Sequence, residues 1–439
     1  MNSVIYCSSM SVMLFGLVLS ASAASPAASS IPSAFGTWSE TAHVSLADGV
    51  TYTCYELSDF DSHVHLLSID LTNPNIVLET VLADELCPNP NRNANSNNGR
   101  NLRETLSETC LRRRDEGREV VAGVNTGFFN SDDGFPRGFH IEYDEPVFIN
   151  NPYVREHLKN HRHGFAFFSD RSVSFAERSF EGHIQWNGIE IDYHSINDTV
   201  VMQRGPVPDG YAYVREANLY TWRMRAVPHP ERPDIRNEVG TDALFITGRS
   251  EGPLRVNCGY LDGRIVGVAD GRGKHDALAP YVTRPDEWVL QLTGETARRM
   301  AAAKIGDPIR ISADVWIGNE RKSIVMYNAS MSHYLRNGVQ VSHSAERKPA
   351  TTLGIDTDGT LLKIVCVDGS SSSGSGMTYD QLGLVMRHLG MTEAIRFDGG
   401  GSTCMWIHDS HSDKLVCRSC DSNGPERSCI NYLHVRILK

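Results

Sequence analysis

Alternation of apolar and polar residues, more than helical periodicity, sets the pattern of the chain beyond residue 50. Residues 63–71 (HVHLLSIDL) and 75–82 (NIVLETVL) read as two strands split by a Thr-Asn-Pro-Asn turn. Residues 102–117 place apolar and small residues at helical spacing and end on Gly117, which predicts the first helix. The unbroken apolar run at 120–125 (VVAGVN) predicts a buried strand leading into Thr126-Gly127-Phe128-Phe129. The section 204–252, rich in Arg, Pro and Tyr, yields no assignment. In the C-terminal third, 351–356 and 361–369 form two strands joined by an Asp-Gly turn, a short-range hairpin signal. A Ser/Gly loop at 370–376 follows, and Thr378 with Gln381 supplies a capping box for a second helix that Gly390 ends. The strand TEAIRF at 392–397, the turn FDGGGST at 397–403 and the strand CMWIH at 404–408 complete the region. This succession predicts an α+β fold, a mixed β-sheet with helices packed against it. It also predicts a β-rich N-terminal region over 24–119, either separate or part of the same sheet, before a main domain over 120–439.

Charge and composition narrow the partners. A net charge of −11 without a concentrated basic surface argues against nucleic acid. Residues 11–19 (SVMLFGLVL) have the length of a signal-peptide core, and Ala21-Ser22-Ala23 is a small-residue cleavage site. The expectation is loss of residues 1–23 and export, so that the mature chain is secreted or periplasmic. No later run is apolar for long enough to cross a bilayer.

The ten cysteines suit an oxidising compartment. Cys87 and Cys110 bracket the Asn-rich stretch 89–101 and are expected to staple it. Cys417 and Cys420, with Cys404 and Cys429 nearby, have the spacing of a zinc site, but export favours disulfides. His157 and His161 have the i, i+4 spacing of a helical ligand pair and His163 follows, in a polar, Arg-containing stretch that reads as a solvated loop. No metal and no cofactor are therefore expected.

Candidate chemistry gathers at strand ends. Asp398 precedes Gly399, Gly400 and Gly401, then Ser402 and Thr403. Consecutive glycines let backbone approach a ligand and turn N–H groups toward an anion, and they also serve plain tight hairpins. Both readings are open. Asp368 ends the strand before, and if the two strands are sheet neighbours both carboxylates emerge on one edge, a pairing that suits glycoside cleavage. Asn125 ends another strand and could hold a sugar hydroxyl, whereas Phe128 and Phe129 read as core.

The segments GVNTGFFN (123–130), ATTLGIDTDGTLLKIVCVDG (350–369), AIRFDGGGST (394–403) and GPERSCINYLHV (424–435) resemble, in order, the phosphodiester glycosidase family. The resemblance implies hydrolysis between an anomeric carbon and a phosphate, with an N-acetylglucosamine 1-phosphodiester as the kind of substrate. It places Asp398 and Asp368 as catalytic groups. Asn125, Gly399, Gly400, Gly401, Ser402, Thr403 and Arg427 would bind substrate. Ala350 stands where the family pattern has an Arg before the Thr of this strand, a natural partner for phosphate, and Arg347 just upstream could substitute. Competing readings are a non-catalytic surface-glycan binder on the same scaffold and a metal-dependent phosphoesterase.

Overall fold

The computed structural model describes residues 35–60, 62–87, 103–129, 134, 136–150, 163–198, 217–224, 243–271, 282–330, 332–371, 373–410, 412–419 and 426–439. The expected export signal, the linker after it, the Asn-rich stretch, His157, His161, Cys420 and most of 204–252 lie outside these residues.

The chain is β-rich rather than α+β. Four sheets carry the described residues, and every pairing between their strands is antiparallel. The expected mixed sheet fails for a specific reason. Leu361–Val367 and Glu393–Gly399 are not neighbours across a helical crossover, because the hairpin partner Ala350–Ile355 lies between them and pairs with both. The two outer strands therefore still run in the same direction, and their ends emerge on one edge. Three helices are present among the described residues: Leu106–Asp115, Gly294–Arg299 and Tyr379–His388. The first and third each begin in a complete capping box, Thr105 with Glu108 and Thr378 with Gln381. Gly117 and Gly390 follow these two helices at positive φ, 82° and 83°, where a Cβ would be strained.

The N-terminal strands are built into the same sheets as the C-terminal third. Trp38–Ala47, Val50–Leu57 and His63–Asp70 extend an eight-stranded sheet that continues through Leu361–Val367, Ala350–Ile355 and Glu393–Gly399. After the Thr-Asn-Pro-Asn turn the chain leaves that sheet. Ile76–Leu82 pairs with Asn431–Ile437 in a five-stranded sheet that also holds Glu119–Asn125, Cys404–His408 and Asp413–Arg418. Leu67, Ile364 and Phe397 from the first sheet pack with Val124, Met405 and Leu433 from the second in one core. The helix Leu106–Asp115 covers the other face of the second sheet, where Leu106 and Cys110 meet Trp406 and Tyr432. Glu119–Asn125 is thus a central strand covered on both sides, which explains its unbroken apolar run. No described helix is long and apolar enough to cross a membrane.

The expected disulfide is not formed. All eight described cysteines are free, and Cys87 and Cys110 belong to different cores. The Cys87 thiol donates to the Val147 carbonyl at 3.1 Å, while Cys110 sits 3.5 Å from His434 Nε2. Cys404 and Cys429 line one face of the five-stranded sheet and Cys417 the other, so these three do not converge.

Candidate active site

The segment FDGGGST is not a hairpin. Glu393–Gly399 belongs to the eight-stranded sheet and Cys404–His408 to the five-stranded one, so the turn carries the chain from one sheet to the other. A register shift opposite Ala350–Thr352 interrupts the strand just before the turn, a device that re-aims side chains at a strand end. Gly400 adopts φ 57°, the left-handed region that glycine enters freely. Gly399 and Gly401 are required for space: a Cβ at Gly399 would lie 2.3 Å from Arg396 Nη2, and one at Gly401 2.0 Å from Arg427 Nη2. The glycines therefore let two guanidinium groups lie against the backbone. Among the turn amides, Gly399 N–H is used on Asp398 Oδ1 at 2.9 Å, Gly400 N–H on the Pro349 carbonyl at 2.9 Å and Thr403 N–H on the Gly400 carbonyl at 3.1 Å.

Asp398 is partly exposed at the mouth of this turn. Burial of its carboxyl pushes its pKa above the ordinary aspartate value, against the Ser402 hydroxyl, the Gly399 amide and the charges of Arg396 and Arg427, which all favour the ionised form. Its own N–H donates to the Thr126 carbonyl at 2.8 Å. Asn125 clamps the same turn from beneath: its Nδ2 donates to the Asp398 carbonyl at 2.8 Å, and its Oδ1 accepts from Thr351 Oγ1 at 2.5 Å and Cys404 N–H at 3.1 Å. With its amide engaged on protein, Asn125 positions the turn instead of presenting itself to a ligand. Ser402 and Thr403 are buried behind the turn, and the Thr403 hydroxyl has no partner among the described residues.

The exposed Arg427 guanidinium makes no ion pair or side-chain hydrogen bond among the described residues, and it lies along Gly401. Gly401→Ala tests that placement. The added methyl meets only the flexible end of Arg427, so the protein should fold while the guanidinium is displaced. Were Arg427 to bind substrate, losing that charged hydrogen bond would lower kcat/KM by roughly tenfold to a hundredfold. Steady-state kinetics on a glycosyl phosphodiester, beside a circular-dichroism melt, measure both effects.

Asp368 and Arg347 stand apart from Asp398. Asp368 Oδ1 accepts from His63 N–H at 2.5 Å, Oδ2 lies 2.9 Å from His63 Nδ1, and His65 Nε2 is 3.8 Å away. Burial would raise this carboxyl, but the nearby His65 and the bonds with His63 outweigh it and hold it below the ordinary value. The same contacts and Cys54 raise His65, against burial, to about 9. This group opens on a separate cavity of about 490 Å³, lined in part by Tyr52, Cys54 and Lys414. Arg347 is exposed, with its guanidinium 4.4 Å from the Phe60 ring centroid. Phe129 is half-buried between two apolar clusters. His163 packs against His333, ring centroids 5.5 Å apart.

Sequence reasoning missed Arg396, which lies beside the turn with its guanidinium 5.1 Å from the Tyr379 ring. The signal was available: a charged residue in the middle of the apolar strand Glu393–Gly399. One group among the described residues has metal-ligand geometry, His183, Glu190 and Asp192, on the seven-stranded sheet that also includes Arg178–Trp186 and Ile189–Tyr193.

A β-rich scaffold thus sets one carboxylate and two guanidinium groups around a glycine turn. Residues 262–436 match the phosphodiester glycosidase family, so the chain carries a region of that family spanning Asp368, Asp398 and Arg427. The segment GVNTGFFN lies outside the matched stretch. No curated protein sequence matches the chain significantly. Among solved structures the fold is similar to a hypothetical protein from Synechocystis, with TM-score 0.59 and 14% identity over 90% of this chain and 63% of that one. It is also similar to a protein from Burkholderia pseudomallei, with TM-score 0.56 and 16% identity over 88% of this chain and 75% of that one. The chain thus spans less than two thirds of the length of the Synechocystis protein. The catalytic domain of zebrafish N-acetylglucosamine-1-phosphodiester alpha-N-acetylglucosaminidase, auto-inhibited by its pro-peptide, aligns at TM-score 0.33 and 11% identity over 92% of this chain and 82% of that one.

Proposed function

We propose that this protein is an exported hydrolase that cleaves the bond between a sugar anomeric carbon and a phosphodiester, with an N-acetylglucosamine 1-phosphodiester as the substrate class. The observation that carries the reading is the setting of Asp398, beside Arg427 on a turn that lies within the family match. A departing phosphate is a good leaving group at neutral pH, so such a reaction needs charge stabilisation more than protonation. Arg427 supplies a positive charge on the side where that phosphate would leave. Asp398 acts at the anomeric carbon, as nucleophile or as base toward water, and the raised pKa of its carboxyl makes it a stronger base than an ordinary aspartate.

Hydrolysis of a defined N-acetylglucosamine 1-phosphodiester in isotopically labelled water tests the reading. The label is expected in the released sugar. Label in the phosphate would replace it with phosphoesterase chemistry, and binding without turnover would replace it with a glycan binder. Export is tested by the amino-terminal sequence of the protein recovered outside the cell, which should begin after Ala23.

A further inference from the structure

Among the described residues, the buried arginines are paired, with one exception. Arg113 bonds Glu116 and Glu85, Arg223 bonds Glu142 and Glu145, and Arg178 reaches Asn150. Arg396 is 3% exposed, yet among the described residues its guanidinium has neither an ion pair nor a hydrogen bond, and its Nε is fully enclosed. A cation held out of water with no bonded partner is unfavourable, and the Asp398 and Glu346 carboxylates reach this one only through space. The Tyr379 ring at 5.1 Å fixes the position of the guanidinium and neutralises none of its charge.

The residues beside it are small. Ala350 pairs directly with Gly399 across the two strands, and the Arg396 Nη2 atom lies against Gly399. Neither residue of that pair has a side chain beyond Cβ. Glu346, whose carboxylate also feels the charge of Arg396, is committed to Lys348 at 2.8 Å. Arg427 flanks the other end of the turn at Gly401.

We propose that Arg396 is a phosphate-binding residue, and that its guanidinium and that of Arg427 hold one substrate phosphate between them at the Asp398 turn. This rests on the reading of the site as one that handles phosphate. Two unpaired guanidinium groups and one ionised Asp398 leave a single net positive charge, which matches the single negative charge of a phosphodiester better than the two of a monoester. Arg396 thereby supplies a cation beside position 350, where the chain itself has only alanine.

Calorimetric titration with inorganic phosphate, for the wild-type chain, R396Q and R396K, tests the assignment beside turnover of the methyl phosphodiester of N-acetylglucosamine 1-phosphate. Phosphate affinity is expected to fall by about thirtyfold or more in R396Q. It should fall by about tenfold in R396K, which keeps charge and reach but lacks the planar pair of donors. R396K decides the matter if R396Q does not fold. Equal affinity in the wild type and folded R396K overturns the assignment whatever the turnover, as does a wild-type chain that binds no phosphate. Weakened phosphate binding in the variants of a wild-type chain that turns over no glycosyl phosphodiester keeps Arg396 as an anion site and removes the glycosidase reading.

Discussion

Asp398→Asn is expected to lower turnover of a glycosyl phosphodiester by about a thousandfold or more and, at neutral pH, to raise thermal stability. The first effect follows because an amide can neither attack the anomeric carbon nor take a proton from water. The second follows from the direction of the Asp398 shift. Its carboxyl is raised in the folded state, chiefly by burial. A group so raised favours the folded state below its unfolded pKa, and that contribution is lost as pH rises through the folded value. At pH 7 the ionised Asp398 therefore works against folding. Asparagine carries no charge at any pH, so its stabilising effect should be present at pH 7 and absent in acid, below both values. Melting curves of the two proteins at pH 7 and pH 3 measure this, and wild-type activity in the variant would remove Asp398 from the mechanism. The same shift sets the acid limb of the wild-type rate profile. A base or nucleophile must be ionised, so activity should begin to fall above the pH at which an ordinary aspartate protonates.

Local signals in the sequence were faithful, and they reached the centre of the site. The capping box at Thr378 and Gln381, the hairpin of Ala350–Ile355 with Leu361–Val367, and the glycine turn after Asp398 are each fixed by residues a few positions apart. Asn125 was found for the same reason, since a strand end is visible locally, although its amide serves the turn and not the ligand. What failed was pairing between distant strands, which no local pattern encodes. The turn after His63–Asp70 is visible in the sequence, but not that it carries the chain to another sheet at Ile76–Leu82. Ala350–Ile355 separates two strands that a helix seemed to join. Asp368 and Asp398 do emerge on one edge, but sheet pairing hands Asp368 to His63 and His65. Cysteine spacing misled for a related reason: alternation along strands sends Cys404 and Cys417 to opposite faces of one sheet. The isolation of Arg396 became visible only once its neighbours were known to carry no acid bonded to it.

Glu142→Ala should destabilise the protein by about 3–5 kcal/mol, because it breaks a buried charge network at its centre. Glu142 is buried between His140 Nε2 at 2.8 Å and Arg223 Nη2 at 3.1 Å, and Arg223 also bonds Glu145 at 2.7 Å. Burial would raise the Glu142 carboxyl, but the His140 bond and the Arg223 charge outweigh it and hold it below the ordinary value. A group lowered in this way contributes stability above its unfolded pKa and loses it as pH falls through the folded one. Urea unfolding should therefore separate wild type from variant fully at pH 7, and the gap should narrow in strong acid. A constant gap would mean that the loss comes from packing and not from charge. The network also runs to the site. His140 Nδ1 faces Asn328 Oδ1 at 3.2 Å, Asn328 Nδ2 donates to Thr126 Oγ1 at 3.0 Å, and the Thr126 carbonyl receives the Asp398 N–H. Release of His140 from its carboxylate loosens the floor on which the Asp398 turn rests, and displacements of an ångström at a reacting group are costly. Folded Glu142→Ala at low temperature should accordingly show kcat reduced by about tenfold with a smaller change in KM. A KM-dominated loss would instead place the network under the phosphate-binding guanidinium groups.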